Sequence, residues 1–145
     1  MKKYWWPFVG MVALIILVIA WSGVATAPES GNLTIKGHAF KVEYADTPEA
    51  QEKGLGGRDN LPSNHAMLFR FTADGEHCFW MKDMRFSLDI IWINPEKKVV
   101  HIKPDVSPAT FPHNFCPPEP SQYVLEVNAG VSQQIDLRVG DSLSF

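Results

Sequence analysis

The chain lacks the patterns by which a catalyst is most readily read from spacing. Among its 145 residues there is no Gly-x-Ser-x-Gly, no His-Glu-x-x-His and no acidic set for phosphoryl transfer. Zinc-ligand spacing is missing too. Cysteine is scarce: Cys78 and Cys116 are the only two, and without a Cys-x-x-Cys there is no thiol-exchange motif. Basic charge is short as well. The formal charge is −3, and −5 when Lys2 and Lys3 are left out, which argues against nucleic acid and against a polybasic patch for anionic lipid. No cofactor is called for.

Charge is absent altogether from residues 4–27, and residues 8–20 are apolar apart from Gly10. A basic start, an apolar run and small residues near Ala25-Thr26-Ala27 form an export signal over residues 1–27. Cleavage after Ala25 or Ala27 is one outcome. The other is an uncleaved membrane anchor over residues 4–23, about 20 residues and thus one bilayer span, with Trp5, Trp6 and Trp21 as interfacial aromatics. Pro28 hinders the second cleavage point, so the anchor is favoured. Lys2 and Lys3 hold the N-terminus inside, and both outcomes place the rest outside the cytoplasm: membrane-anchored, or secreted and periplasmic. There two cysteines most simply join as a Cys78–Cys116 disulfide; a reactive thiol or thiolate ligands are the alternatives.

After a spacer at 28–32, the region 33–145 reads as one β domain. Residues 33–36 and 39–45 alternate around Gly37-His38 as a hairpin. Asp46-Thr47-Pro48-Glu49 starts a short helix that stops at Gly54. Gly54-Leu55-Gly56-Gly57-Arg58 is a tight turn with Arg58 paired to an acid; the competing reading is an anion cradle with Arg58 as donor. Strands follow at 67–71, 77–81, 87–93, 98–102 and 123–127, with a helical turn near 129–131 and a last strand at 142–145. The run Leu88-Asp89-Ile90-Ile91-Trp92-Ile93 is the buried one. Residues 103–122 hold six prolines, a long loop of the kind that often serves function. Many short strands and few helices mean a mainly β sandwich or small barrel.

The segment Phe79-Trp80-Met81-Lys82-x-Met84, followed by Leu88-Asp89-Ile90-Ile91-Trp92-Ile93, resembles the signature of the bacterial and archaeal domain of unknown function 192. So do Gly54-Leu55-Gly56-Gly57-Arg58, Met67-Leu68-Phe69 and the run from Tyr123 to Gly130. The resemblance covers about residues 40–145 and implies a compact, jelly-roll-like β-sandwich with small helices, preceded here by the N-terminal hydrophobic helix. It implies no reaction.

Candidate chemistry gathers on Arg58, Trp80, Lys82, Asp89 and Glu126. Trp80 and Lys82, two apart on a strand, share a face, and an aromatic beside a cation with carboxylates nearby suits a glycan or peptide ligand. The proline loop would form the rim. The competing account makes Trp80 core and pairs Asp89 with Lys82 or Arg85. Two other functions need weighing. Asp89 and Glu126 could serve as acid and base of a hydrolase of envelope polymers. Met67, Met81 and His77 could hold copper(I).

Overall fold

The computed structural model describes residues 29–145. The expected export signal or anchor lies outside them, and no helix among the described residues is long and apolar enough to cross a membrane.

Seven strands run Ser30–Ile35 (β1), His38–Ala45 (β2), His65–Gly75 (β3), Leu88–Ile93 (β4), Val99–Val106 (β5), Ser121–Asn128 (β6) and Leu143–Ser144 (β7). Two short helices, Pro48–Lys53 (α1) and Val131–Gln134 (α2), complete the mainly β domain. The strands form one sheet in the order β5-β4-β6-β3-β2-β1-β7. It is a curled half-barrel rather than a sandwich of two sheets. The curl brings the short edge strand β7 back to the turn before β5, where Lys98 bridges Ser142 and Leu143 donates its N–H to the Lys97 carbonyl at 2.9 Å. Near-closure of this kind covers edges that would otherwise stay unpaired.

Local chemistry explains the elements. The β1–β2 hairpin turns on Lys36 and Gly37, both at positive φ, which suits a two-residue turn. The β2–β3 pair is parallel, and α1 lies in the connection between them. Thr47 caps α1 by accepting the Ala50 N–H, and Pro48 fills its first turn. All six residues of β4 are buried, as expected of a strand packed on both faces. β5 extends to Val106, so the proline-rich stretch is partly sheet; Pro104 is tolerated because β5 is an edge.

The two faces of the sheet carry two cores. Leu33, Ile35, Leu68, Ile91, Ile93 and Leu125 belong to the first core, on one face. Leu55, Met67, Phe69, Met81, Ile90 and Trp92 form the second core, under the segments that cover the other face. The expected strand at 77–81 is absent; Phe79 alone makes a bridge, to Phe115.

Candidate functional site

The site lies on the face of the second core and is built from three connections. The first is the turn after α1. Gly54 has φ 49°, and a Cβ placed there would lie 3.3 Å from Phe69 Cζ and 4.0 Å from Glu126 Oε2. At Gly56 a Cβ would come within 2.9 Å of the Lys53 carbonyl and 3.3 Å of the Lys82 carbonyl. The glycines therefore let this turn press against the turn at Lys82-Asp83, and the Gly57 N–H donates to the Asp83 carbonyl at 2.9 Å. Arg58 pairs with Glu43 through two 2.7 Å hydrogen bonds. That bidentate contact depresses the Glu43 pKa and raises that of Arg58. The turn reading of residues 54–58 holds.

The second connection carries Trp80 and Lys82. They are not on a strand, yet they meet: Lys82 Nζ lies 5.4 Å from the Trp80 ring centroid and 2.9 Å from Glu52 Oε1. Trp80 is 38% exposed, so it is not core. The third is the proline loop. The Cys78–Cys116 disulfide is formed, and Phe79 and Phe115 exchange two backbone hydrogen bonds of 2.8 Å. Phe111 packs edge-on against Trp80, with ring centroids 5.8 Å apart. The loop does border the Trp80 segment.

Between these connections and α1 runs a groove of about 400 Å³, lined by Pro48, Gln51, Glu52, Phe71, Trp80 and Asn114 among others. It adjoins a cavity of about 30 Å³, lined by Glu52, Gly54, Phe69, Trp80, Lys82 and Glu126 among others. Glu126 is 5% exposed, and its Oε2 is buried without a hydrogen-bond partner. Burial raises its pKa from 4.5 to about 8, with the charge of Arg58 pulling the other way. At neutral pH its carboxyl is therefore mainly protonated.

Asp89 belongs elsewhere. β4 pairs with β6 so that Ile90 opposes Glu126 and Asp89 opposes Val127. Side chains alternate between faces, so the two carboxyl groups point to opposite sides of the sheet. Asp89 instead accepts from Asp105 N at 2.9 Å, Gly130 N at 3.1 Å, Ser132 N at 2.8 Å and Ser132 Oγ at 2.7 Å. It caps α2 from a neighbouring strand, since Gly130 has no side chain to do so. The acid–base pair of a hydrolase is thereby corrected, as are Asp89 as a ligand residue and its pairing with Lys82 or Arg85; Arg85 pairs with Asp59.

The copper(I) set fares no better. Met67 and Met81 are buried core residues, while the His77 ring stacks on Phe71 at 3.6 Å and its Nε2 lies 3.2 Å from the Ala73 carbonyl. The one grouping of metal-ligand residue types among the described residues is Glu76, Cys78 and Cys116, whose two sulfurs are bonded to each other. Of the expected site residues, then, Trp80, Lys82 and Glu126 converge, Arg58 stands behind them paired to Glu43, and Asp89 is structural. No sequence motif points to Glu52, Phe111 or Asn114. Glu52 sits in a polar helix that reads as solvated, and only the placement of α1 brings it to Lys82.

The same segments carry the likeness to known proteins. The DUF192 family model (Uncharacterized ACR) matches residues 31–145. The chain belongs to the DUF192 family. A UPF0127 protein of Thermococcus kodakarensis is 29% identical over 117 residues, 76% of this chain and 69% of that protein. Another, of Thermococcus gammatolerans, is 29% identical over 109 residues, 72% of this chain and 65% of its own length. Among solved structures, a Sinorhizobium meliloti protein described as a candidate transcription regulator superposes with a TM-score of 0.78 at 28% identity, over 81% of this chain and 95% of its own. A Novosphingobium aromaticivorans protein of unknown function gives 0.76 at 27%, over 83% and 94%.

Proposed function

We propose that this DUF192 domain is a ligand-binding module of the cell envelope, with the groove beside Trp80 as its site. The observation that carries the proposal is convergence. Trp80 and Lys82 come from the connection between β3 and β4, Glu126 from β6 and Glu52 from α1, yet all line one cavity. Sheet packing alone gives no reason to bury a carboxyl oxygen without a partner there, and such a group is costly unless something answers it. A partly exposed tryptophan at the mouth supplies an apolar contact surface. Binding rather than catalysis is favoured because, among the described residues, the cavity lining holds no Ser, Thr, Cys or His, and its only other carboxyl group, that of Glu52, is engaged by Lys82.

The envelope location rests on the charge-free apolar run after Lys2 and Lys3, and on a disulfide between two exposed cysteines, which persists in an oxidising compartment. The acidic balance speaks against a nucleic-acid partner. Membrane attachment through residues 4–23 is part of the same proposal.

Glycan and peptide arrays probed with the full chain, beside a Trp80→Ala control, test it. Binding lost in the control supports the site. A folded chain that binds nothing, or binds equally in the control, contradicts it.

A further inference from the structure

We infer that the ligand of this groove is an uncharged saccharide, with one hydroxyl or hydroxymethyl group seated in the cavity against Glu126. The inference rests on the groove being a binding site and goes one step further, to the class of ligand.

Charge is the first argument. Of the ionic groups lining the groove and cavity, Lys82 holds Glu52 at 2.9 Å, while Lys53 is exposed and has no ion-pair partner among the described residues; Arg58 behind them is held by Glu43 at 2.7 Å. A phosphate or carboxylate ligand would have to displace Glu52 from Lys82 to gain the cation beside Trp80, and otherwise meets only the solvent-exposed Lys53. An ammonium ligand would have to displace Lys82 from Glu52. A neutral ligand disturbs neither pair.

The walls are the second argument. Trp80, Phe79 and Phe71 line the groove together with the amide side chains of Gln51 and Asn114. Gln51 is held in place by two hydrogen bonds from its Nε2, to the Ala45 and Arg70 carbonyls at 3.2 and 3.1 Å. Aromatic rings beside fixed polar groups match a pyranose, which has an apolar C–H face and a rim of hydroxyls.

The cavity is the third. At about 30 Å³ it has room for a hydroxyl or hydroxymethyl group but not for a ring. Its partnerless Glu126 oxygen is the only such carboxyl oxygen found among the described residues. A protonated carboxyl both donates and accepts, as a hydroxyl does, so the two are matched in kind.

The test uses the full chain in a non-glycosidic detergent. Its probes are maltose, cellobiose and N,N′-diacetylchitobiose as neutral sugars, digalacturonate as an anionic one, and trialanine as a peptide. Binding is read by saturation-transfer NMR and calorimetry on the wild type, Trp80→Ala, Glu126→Gln and Glu126→Leu, with folding checked by circular dichroism. At least one neutral disaccharide should bind. Its affinity should fall about tenfold or more in Trp80→Ala and about tenfold in Glu126→Leu, and stay within about threefold in Glu126→Gln, whose amide also donates and accepts. Should Glu126→Leu not fold, the Gln variant and Trp80→Ala still decide. Trp80-dependent binding of digalacturonate or trialanine, with no neutral sugar bound, overturns the saccharide assignment and leaves the groove standing. If no probe binds in a Trp80-dependent way, both are overturned.

Discussion

Two buried acids on neighbouring strands of one sheet have opposite fates. Asp89 receives four hydrogen bonds and ties β4 to β5 and α2, whereas Glu126 keeps an oxygen with no partner beside a cavity. Both are almost fully buried. Burial alone therefore does not separate a structural acid from a site acid; what separates them is whether the surrounding protein answers each oxygen. Asp89 sits where a helix start and a strand end offer N–H groups. Glu126 sits where glycines, aromatics and a lysine already held by Glu52 offer it nothing.

The sharpest way to break this comparison is Asp89→Ala. It leaves three backbone N–H groups and one hydroxyl short of their acceptor, so the chain should lose about 5 kcal/mol of stability or fail to fold, as read from urea unfolding at pH 7. Should it cost no more than a surface substitution, the structural assignment of Asp89 is wrong.

Glu126 should act through pH instead. Its pKa is 4.5 in the unfolded chain and about 8 when folded. Between those values the folded protein keeps a proton that the unfolded chain has released. Its contribution is therefore fully present below pH 4.5, declines as pH rises, and is lost above about 8. The charged groups around it from the packed segments are Arg58, Lys82, Lys53 and Glu52, of which Arg58 softens the loss. Wild type should lose on the order of 4 kcal/mol across this window relative to Glu126→Gln. Parallel stability-versus-pH curves for the two would refute the burial of an unanswered carboxyl.

Sequence reasoning reached much of this, and its failures have physical causes. The buried run at 88–93, the capped start of α1 at Thr47-Pro48 and the β1–β2 hairpin are local features, set by hydrophobic pattern, capping chemistry and turn residues. The number of sheets is not local. Alternation shows that a strand has two faces, but not whether its far face meets a second sheet or the same sheet curling round. The i, i+2 spacing of Trp80 and Lys82 suggests a shared strand face, but a turn rather than a strand brings them together. Asp89 and Glu126 looked equivalent because register, which sets the face each acid points to, cannot be read from one strand at a time.

The staple between the loop and the Trp80 segment gives a smaller effect. Breaking Cys78–Cys116, whose partners are 38 residues apart, should remove about 3 to 4 kcal/mol. A urea titration of Cys78→Ala/Cys116→Ala against wild type measures it; an unchanged midpoint would mean the loop is held without the bond. Smallest in stability is Trp80→Ala. The ring is partly exposed and loses only the Phe111 and Lys82 contacts and some packing, about 1 to 2 kcal/mol by thermal unfolding. A much larger loss would return Trp80 to the core and leave its exposed face without significance.

The two acids can also report on the site within one experiment. Carboxyl carbon NMR spectra of the isotope-labelled full chain, recorded with and without N,N′-diacetylchitobiose, maltose and cellobiose, would follow Glu126 and Asp89 side by side. The account expects at least one sugar to shift the Glu126 carboxyl resonance and leave Asp89 in place. Shifts at Asp89 alone, or at neither acid with all three sugars, would contradict it.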